Sequence, residues 1–413
     1  MQKASYFIGL DIGTANVRCV VGMLENREAE NALSVIGIGS SQNHGMRKGA
    51  VVHIEDVAQA ISEAITEAER MAGVRISGAT INVNGAHISS QSSHGVVAIS
   101  SPNRQISDED RARVEEAAAV INLPANREII QVFAKNYRID GQDNIKDPVG
   151  MHGVRLEVDT LIVTAGIPLL RTLDSALEHA QVNVHHHTVA SLAAAEAVLD
   201  RRQKESGTAV VDIGAGTTNI VILEEGEVEH VAIIPIGSQN LTNDLAIGLK
   251  TDLDIAENVK KAHATLDFSS PPAETLSVEY EGNRYQFSEK AVRLVVEARM
   301  EELFEQIDRE FKRVGKSRKL PGGVVIVGAT ADMPGLADYA KERLQLPAKI
   351  GKINGIGGLI DTINSSEYAS GVGLMMLDML LSGHQQPSST LSKSNSAQLT
   401  ASLFTRLKHL ISR

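Results

Sequence analysis

Two stretches, one opening each half of the chain, are copies of one device. Phe7-Ile8-Gly9-Leu10-Asp11-Ile12-Gly13-Thr14-Ala15-Asn16 runs on into Val17-Arg18-Cys19-Val20-Val21-Gly22, and Ala209-Val210-Val211-Asp212-Ile213-Gly214-Ala215-Gly216-Thr217-Thr218-Asn219 runs on into Ile220-Val221-Ile222-Leu223. Each is an apolar strand ending in Asp-Ile-Gly, a small polar turn and a second apolar strand. Glycine at the tip of such a hairpin lets backbone N–H groups come close to an anion. A carboxylate at the strand end can hold a magnesium ion, often through water. Either copy alone is no more than a hairpin turn signal, but the repeat in both halves reverses that weighting. A Walker-type loop is a poor alternative, because no Gly-Lys-Ser/Thr follows either glycine cluster.

The sequence therefore predicts two hairpins gripping the phosphates of one nucleotide from opposite sides. Asp11 and Asp212 are the expected magnesium-side carboxylates. Gly13, Thr14, Ala15 and Asn16 of the first turn, with Gly214, Ala215, Gly216, Thr217 and Thr218 of the second, are the expected phosphate-side residues.

With 413 residues the chain is long enough for two or more domains. Its 43% hydrophobic and 22% charged content is that of a globular protein. A formal net charge of −11 argues against general nucleic-acid binding. Cys19 is the single cysteine, so no internal disulfide can form and a reducing compartment is expected. No secretory apolar region precedes Asp11, and no apolar run reaches the ~18 residues of a membrane span.

Strand and helix signals alternate, which predicts an α/β architecture. Residues 55–72 have helical spacing, with Val57, Ile61, Ile65 and Ala68 on one side. Thr80–Val83, Val158–Thr164 and Val324–Val327 read as strands, and Ala190–Leu199 as an alanine-rich helix. Residues 85–162 carry signals of their own, including a helix from Asp108 to Ile121 and a polar loop over 140–150, and read as an inserted subdomain. His185-His186-His187 reads as a loop before the alanine-rich helix rather than a metal site. Met375, Met376 and Met379 read as core, and Cys19 as a buried, inert strand residue.

On these residues the chain resembles the actin-like ATPase superfamily, whose two phosphate hairpins match Asp11–Val17 and Asp212–Ile220. The resemblance implies an actin-like (RNase H-like) duplicated fold, with two lobes around a nucleotide cleft, binding ATP with Mg. The superfamily's adenosine motif looks like Gly323–Gly335, with Ala329 and Thr330 standing where glycine or serine is common. Gly237, Glu257, Lys260, Lys261, Gly328, Ala329, Thr330 and Met333 are the adenosine-side residues this implies. For residues 256–261 spacing alone supports a solvated helix face equally well. The superfamily often places a Glu or Gln where this chain has Ala190, and Glu196 reads as structural. ATP binding with at most slow hydrolysis is expected.

Within the superfamily, Arg138-Ile139-Asp140, Ile145–Glu157, Gly45-Met46-Arg47-Lys48-Gly49 and Ile234–Ala246 resemble the FtsA family of bacterial cell-division proteins. That resemblance divides the chain into a first lobe (1–84, 163–200 and 355–381) and an inserted α+β subdomain (85–162). A second lobe follows (201–244 and 311–354), with a peripheral subdomain over 245–310. It implies filaments of the protein itself, contact with later division proteins through the insertion, and docking of the FtsZ C-terminal tail on 245–310. Arg293 and Arg299 sit on a helical stretch there and could receive acidic groups of that tail, although solvated surface arginines fit the pattern as well.

Residues 382–402 are rich in Ser, Gln, Asn and Thr and read as a flexible linker. Beyond it, over 403–413, Leu403, Phe404, Leu407, Leu410 and Ile411 share a helical arc of roughly 120°. Arg406, Lys408, His409 and Arg413 lie beside or opposite it. At about 16 Å this helix cannot span a bilayer. A terminal helix of this kind usually docks on its own protein, but the linker and the purely basic polar face favour an anchor to an anionic membrane. Arg406, Lys408 and Arg413 would supply roughly 3 kcal/mol together. The expected place is the cytoplasmic face of the inner membrane at the division site. An actin-like adaptor of a pilus assembly system, a small-molecule kinase and a chaperone-type ATPase are the competing classes. A kinase lacks a clear substrate-facing carboxylate here, and a chaperone lacks a following peptide-binding domain.

Overall fold

The computed structural model describes residues 5–26, 31–359 and 363–382. The first lobe opens with β1 (Tyr6–Ile12), β2 (Asn16–Asn26), β3 (Asn31–Gln42), β4 (Met46–Arg47), β5 (Ala50–Val51), α1 (Ile54–Ala72) and β6 (Gly78–Val83). Next come β7 (Ser89–Ala98), α2 (Asp108–Ala119), β8 (Arg127–Ile139), β9 (Gln142–Ile145) and β10 (Arg155–Gly166). The chain returns through α3 (Ile167–His179), β11 (Asn183–Val189) and α4 (Ala190–Val198). The second half contains α5 (Arg201–Ser206), β12 (Thr208–Ile213), β13 (Thr218–Glu224), β14 (Glu227–Ile234), α6 (Ser238–Leu249), α7 (Leu253–His263), β15 (Leu276–Tyr280) and β16 (Asn283–Phe287). It closes with α8 (Glu289–Arg313), β17 (Gly323–Val327), α9 (Leu336–Leu344), β18 (Ala348–Ile350), β19 (Gly357–Gly358) and α10 (Ala369–Ser382).

The duplication is visible in the ladders. One sheet runs β11-β6-β1-β2-β3-β19 and the other β14-β13-β12-β17-β18. In both, the Asp-Ile-Gly strand is antiparallel to the strand after it, which is antiparallel to the next. On its other side it is parallel to a later strand, itself parallel to one more. Parallel strands with both faces covered read as continuous apolar runs, and β12 is buried at every position.

α4 and α10 lie between the sheets in one core that joins Leu10, Val20, Ala193 and Met375 to Val210, Val221, Val325 and Val327. Small residues let these layers approach. A β-carbon on Gly9 would stand 2.3 Å from the Gly371 carbonyl oxygen, and one on Gly373 1.7 Å from that of Ala193. α1 covers β3 through Val57, Ile61, Ile65 and Ala68. Each large apolar side chain buried there contributes about 2 kcal/mol. A second core lies under α6–α9. The segment between β7 and β10 has its own four-stranded antiparallel sheet, order β7-β10-β8-β9, with α2 on it and a separate core around Val114, Tyr137 and Leu156.

Two local expectations are corrected. The three histidines lie in strand β11 rather than in a loop, with His186 opposite Thr80 and His187 opposite Ile81 of β6. The backbone finds its hydrogen bonds in the sheet despite the polar side chains. The polar stretch after Asp140 contains β9, because Asp140 and Gly141 take positive φ (49° and 89°) and turn the chain back onto β8. Cys19 is buried and free, and burial pushes its thiol up to about 12. Met375 is fully buried, and Met376 and Met379 pack on the same core.

Candidate functional site: two acidic turns that meet

Both acidic turns close in the same way. The Gly13 N–H donates to the Asn16 carbonyl (3.0 Å), and the Gly214 N–H to the Thr217 carbonyl (2.9 Å). Register places Arg18 opposite Asp11 and Asn219 opposite Asp212. The two carboxylates are 9% and 8% exposed. Burial raises Asp11 to about 7; Arg18 and Asn82 pull it down, while the Asp212 charge pushes it further up. Burial also raises Asp212, against Asn219, Ser370 and Arg18. The Asp212 charge thus acts on Asp11, and Arg18 acts on both acids.

Their supports come from distant parts of the chain. Asn82 at the end of β6 donates to Asp11 Oδ1 (2.5 Å) and accepts from the Ile12 N–H (2.7 Å). Ser370 at the start of α10 donates to Asp212 Oδ2 (3.4 Å), and a β-carbon on Gly371 would lie 3.9 Å from Asp11 Cβ. α10 therefore begins where both acids meet.

The first turn is braced from outside. Asn43 donates to the Gly13 carbonyl, its N–H donates to the Ala15 carbonyl (both 2.8 Å), and the Gly49 N–H donates to Thr14 Oγ1 (3.1 Å). In the second, the Ser238 and Gln239 N–H groups at the N-terminus of α6 donate to the carbonyls of Gly214 (2.9 Å) and Ala215 (2.8 Å). Gly237 is pressed so closely there that a β-carbon would fall 2.5 Å from the Ala215 oxygen. The Thr218 hydroxyl donates to the Ile236 carbonyl (2.8 Å) and Thr217 is buried, whereas Ala15 and Asn16 remain partly exposed.

Of the residues expected around adenosine, Gly237 and Gly328 lie directly against the second acidic turn. Gly328, at φ 90°, leaves only 2.5 Å between a β-carbon and Asp212 Oδ1, so the 323–335 loop abuts the second acid. Thr330 is buried, its hydroxyl unpaired among the described residues; Ala329 is exposed and Met333 is half-buried. On α7, Glu257 and Lys260 pair (2.6 Å), and both reach Thr242 of α6 (2.6 and 2.8 Å). Lys260 also lies 3.4 Å from the Ser238 carbonyl beside Gly237. Burial opposes the Glu257 charge, but Lys260 and Thr242 outweigh it and hold the carboxyl below its usual range. Lys261 is 70% exposed and 3.6 Å from Glu257.

Arg18 escaped the sequence reading. It is almost buried, paired with Glu367 (2.5 Å) and stacked 5.5 Å over the Tyr368 ring. Its position was countable, since the antiparallel register about the turn pairs it with Asp11. Asn82 and Ser370 carried no local signal, because they reach the acids only through the tertiary fold.

Two buried carboxylates on opposed turns, short of compensating charge, suit a hard cation. Magnesium is usually held by one or two carboxylates together with phosphate oxygens. Among the described residues no group of three or more His, Cys, Asp or Glu side chains forms a metal site of its own. His185 meets Asp378 and His187 meets Asp174, as separate pairs (2.8 and 2.9 Å). At the start of α4, Ala190 offers no base, and Glu196 is engaged by Lys204 (2.7 Å).

Arg293 and Arg299 both lie on α8. Arg293 pairs with Glu289 (2.6 Å) and donates to the Ser270 carbonyl (2.7 Å). Arg299 pairs with Asp244 and with Glu302 (2.5 Å). The linker from 383 onward, and with it Leu403, Phe404, Arg406, Leu407, Lys408, Leu410 and Ile411, lies outside the described residues.

Comparison with known proteins bears on the family and the fold. The family model described as "SHS2 domain inserted in FTSA" matches residues 85–164, and that of "Cell division protein FtsA" matches 209–373. The chain is 37% identical to the cell division protein FtsA of Pseudomonas aeruginosa over 379 residues, 91% of this chain and 90% of that one. It is 36% identical to that of Bacillus subtilis over 379 residues, 91% and 84%. Among solved structures it is similar in fold to a chain of the PilM–PilN type IV pilus biogenesis complex (TM-score 0.63, 17% identity, covering 90% and 98%). It is also similar to MreB5 of Spiroplasma citri bound to ADP (TM-score 0.54, 13% identity, 91% and 96%). The fold is thus actin-like, with an inserted SHS2 subdomain, and the chain belongs to the FtsA family of cell-division proteins.

Proposed function

We propose that this protein binds ATP with Mg between its twin hairpins and, in that state, forms filaments that tether FtsZ to the cytoplasmic face of the inner membrane. The observation that carries the reading is the meeting of two matched turns, each with a buried carboxylate at its base, where Gly216 of the second lies against Thr14 of the first. A structural relative of the same fold is bound to ADP and another to AMPPNP. The first turn and the second share the phosphates and the cation. Gly237, Glu257, Lys260, Lys261, Gly328, Ala329, Thr330 and Met333 border the base and ribose. With Ala190 in place of a base and Glu196 tied to Lys204, turnover is slow at most.

The remaining parts follow from membership in the family. The FtsZ tail docks on residues 245–310, where Arg293 and Arg299 would exchange internal carboxylates for those of the peptide. Later division proteins and neighbouring copies meet the inserted subdomain. The basic amphipathic tail at 403–413 holds the filament to anionic lipid, weakly per copy and strongly when many copies act together.

Vesicle pelleting tests the combination. Full-length protein should pellet with anionic liposomes, more so with Mg-ATP, and carry FtsZ with it. A chain ending at Ser402 should keep ATP binding and lose the vesicles. Equal pelleting of both chains would refute the tether, and failure to bring FtsZ down would refute the FtsZ part of the reading.

A further inference from the structure

The inserted subdomain leaves the first lobe by a narrow neck but also leans on the second lobe. At the neck, Gly85 (φ 114°) packs against Gly49, where a β-carbon on Gly49 would stand 2.8 Å from the Gly85 nitrogen. His87 fills the space between the outgoing strand and the returning one, 3.4 Å from a β-carbon placed on Gly166. Gly49 is the residue whose N–H holds Thr14 at the tip of the first hairpin.

The far side of the subdomain seals the edge of β14. Ser90 of β7 donates to the Val231 carbonyl (2.7 Å) and accepts from the Val231 N–H (3.3 Å), taking up both backbone groups of that edge residue. Lys135 of β8 pairs with Glu229 (2.6 Å), and Lys146 pairs with Glu227 (2.9 Å). Phe133 and Leu161 of the subdomain belong to the same buried apolar cluster as Val228 and Val231 of β14. β14 is the next strand after β13, which is itself the second arm of the second hairpin.

The two hairpin tips are in contact. A β-carbon on Gly216 would stand 2.6 Å from Thr14 Oγ1. A phosphate held by both tips would have to part them; β13 runs on from the second tip and pairs with β14, while Gly49 ties the neck to the first tip. We propose that the inserted subdomain is a strap across the two lobes, whose seam with β14 opposes parting of the hairpins, so that nucleotide binding and the seating of this subdomain are coupled. This rests on the nucleotide reading of the cleft. Coupling between two sites is reciprocal. If nucleotide loosens the seam, loosening the seam must tighten nucleotide binding.

The test is calorimetric titration of Mg-ATP into the full-length wild type, Lys135→Glu, and the exchanged pair Lys135→Glu/Glu229→Lys. Lys135 lies outside the cleft and touches none of its residues named above. The expected result is roughly fivefold tighter binding in Lys135→Glu and a return to wild-type affinity in the exchanged pair. Unchanged or weaker binding in Lys135→Glu, in a protein whose wild type binds ATP, overturns the strap. A wild type that binds no ATP overturns the cleft reading itself, and the strap with it. Should Lys135→Glu not fold, amide exchange of the wild type decides. Faster exchange of β14 with Mg-ATP supports the strap, and unchanged exchange rejects it.

Discussion

Gly216 and Thr14, at the tips of hairpins from opposite halves of the chain, touch: a β-carbon on Gly216 would stand 2.6 Å from Thr14 Oγ1, 2.9 Å from its Cγ2 and 3.0 Å from its Cβ. The contact brings the two copies of the acidic turn together, and through the Gly49 N–H on Thr14 it reaches the neck of the inserted subdomain.

Gly216→Ala drives a methyl group into Thr14. Overpacking of this kind costs about 1–3 kcal/mol, to be read as a lower urea midpoint. Adding Thr14→Ala should recover part of the loss, since it removes the hydroxyl and the methyl. Equal destabilisation with and without Thr14→Ala would mean that the tips do not meet.

Asp11→Asn should stabilise the protein without ligand and abolish its stabilisation by Mg-ATP. The Asp11 carboxyl is raised to about 7 from 3.8. A carboxyl whose folded value lies above its unfolded one costs stability that grows as pH climbs past 3.8 and is complete above about 7. The neutral amide escapes a cost of a few kcal/mol. Thermal unfolding at pH 8 with no nucleotide should therefore show a higher Tm for Asp11→Asn. At pH 5 the gain should be smaller.

Asp378 is a buried pin under the first sheet. It is 1% exposed and accepts from the Ile8 N–H (2.9 Å), the Thr80 hydroxyl (2.8 Å) and His185 (2.8 Å), tying α10 to three strands. Asp378→Ala strands those donors and should cost about 3 kcal/mol in chemical denaturation.

The hydrogen bond to Asp378 raises His185 above 6.5, against partial burial. A histidine raised in the folded state stabilises fully below 6.5 and loses that contribution as pH rises through its folded value. The wild type's advantage over His185→Gln should therefore shrink from pH 6 toward pH 9. Its size should stay below about 1 kcal/mol, because the ring is half-exposed and screened. An advantage that grows with pH would reverse the assignment.

What the sequence disclosed was local and repeated. The Asp-Ile-Gly turns, the apolar strands beside them and the helical spacing of Val57, Ile61 and Ile65 each carry their signal within one element, and all of them appear in the fold. The matched order of the two sheets carries the duplication seen in the turns through both lobes. Arg18 could have been found by counting register across the first hairpin. Ser370 on Asp212, Asn82 on Asp11 and the seating of Lys135 on Glu229 could not, since each joins residues whose approach is decided by the packing of whole sheets. The β11 histidines misled for the opposite reason. Polar side chains suggested a loop, whereas backbone pairing with β6 decided the strand.

Nucleotide binding between the two acidic turns is tested most directly by calorimetry of Mg-ATP into the full-length protein and into Asp212→Ala. The expected result is one ATP per chain for the wild type and loss of binding on removal of the second acid. No heat of binding in the wild type, or undiminished affinity in Asp212→Ala, would contradict it.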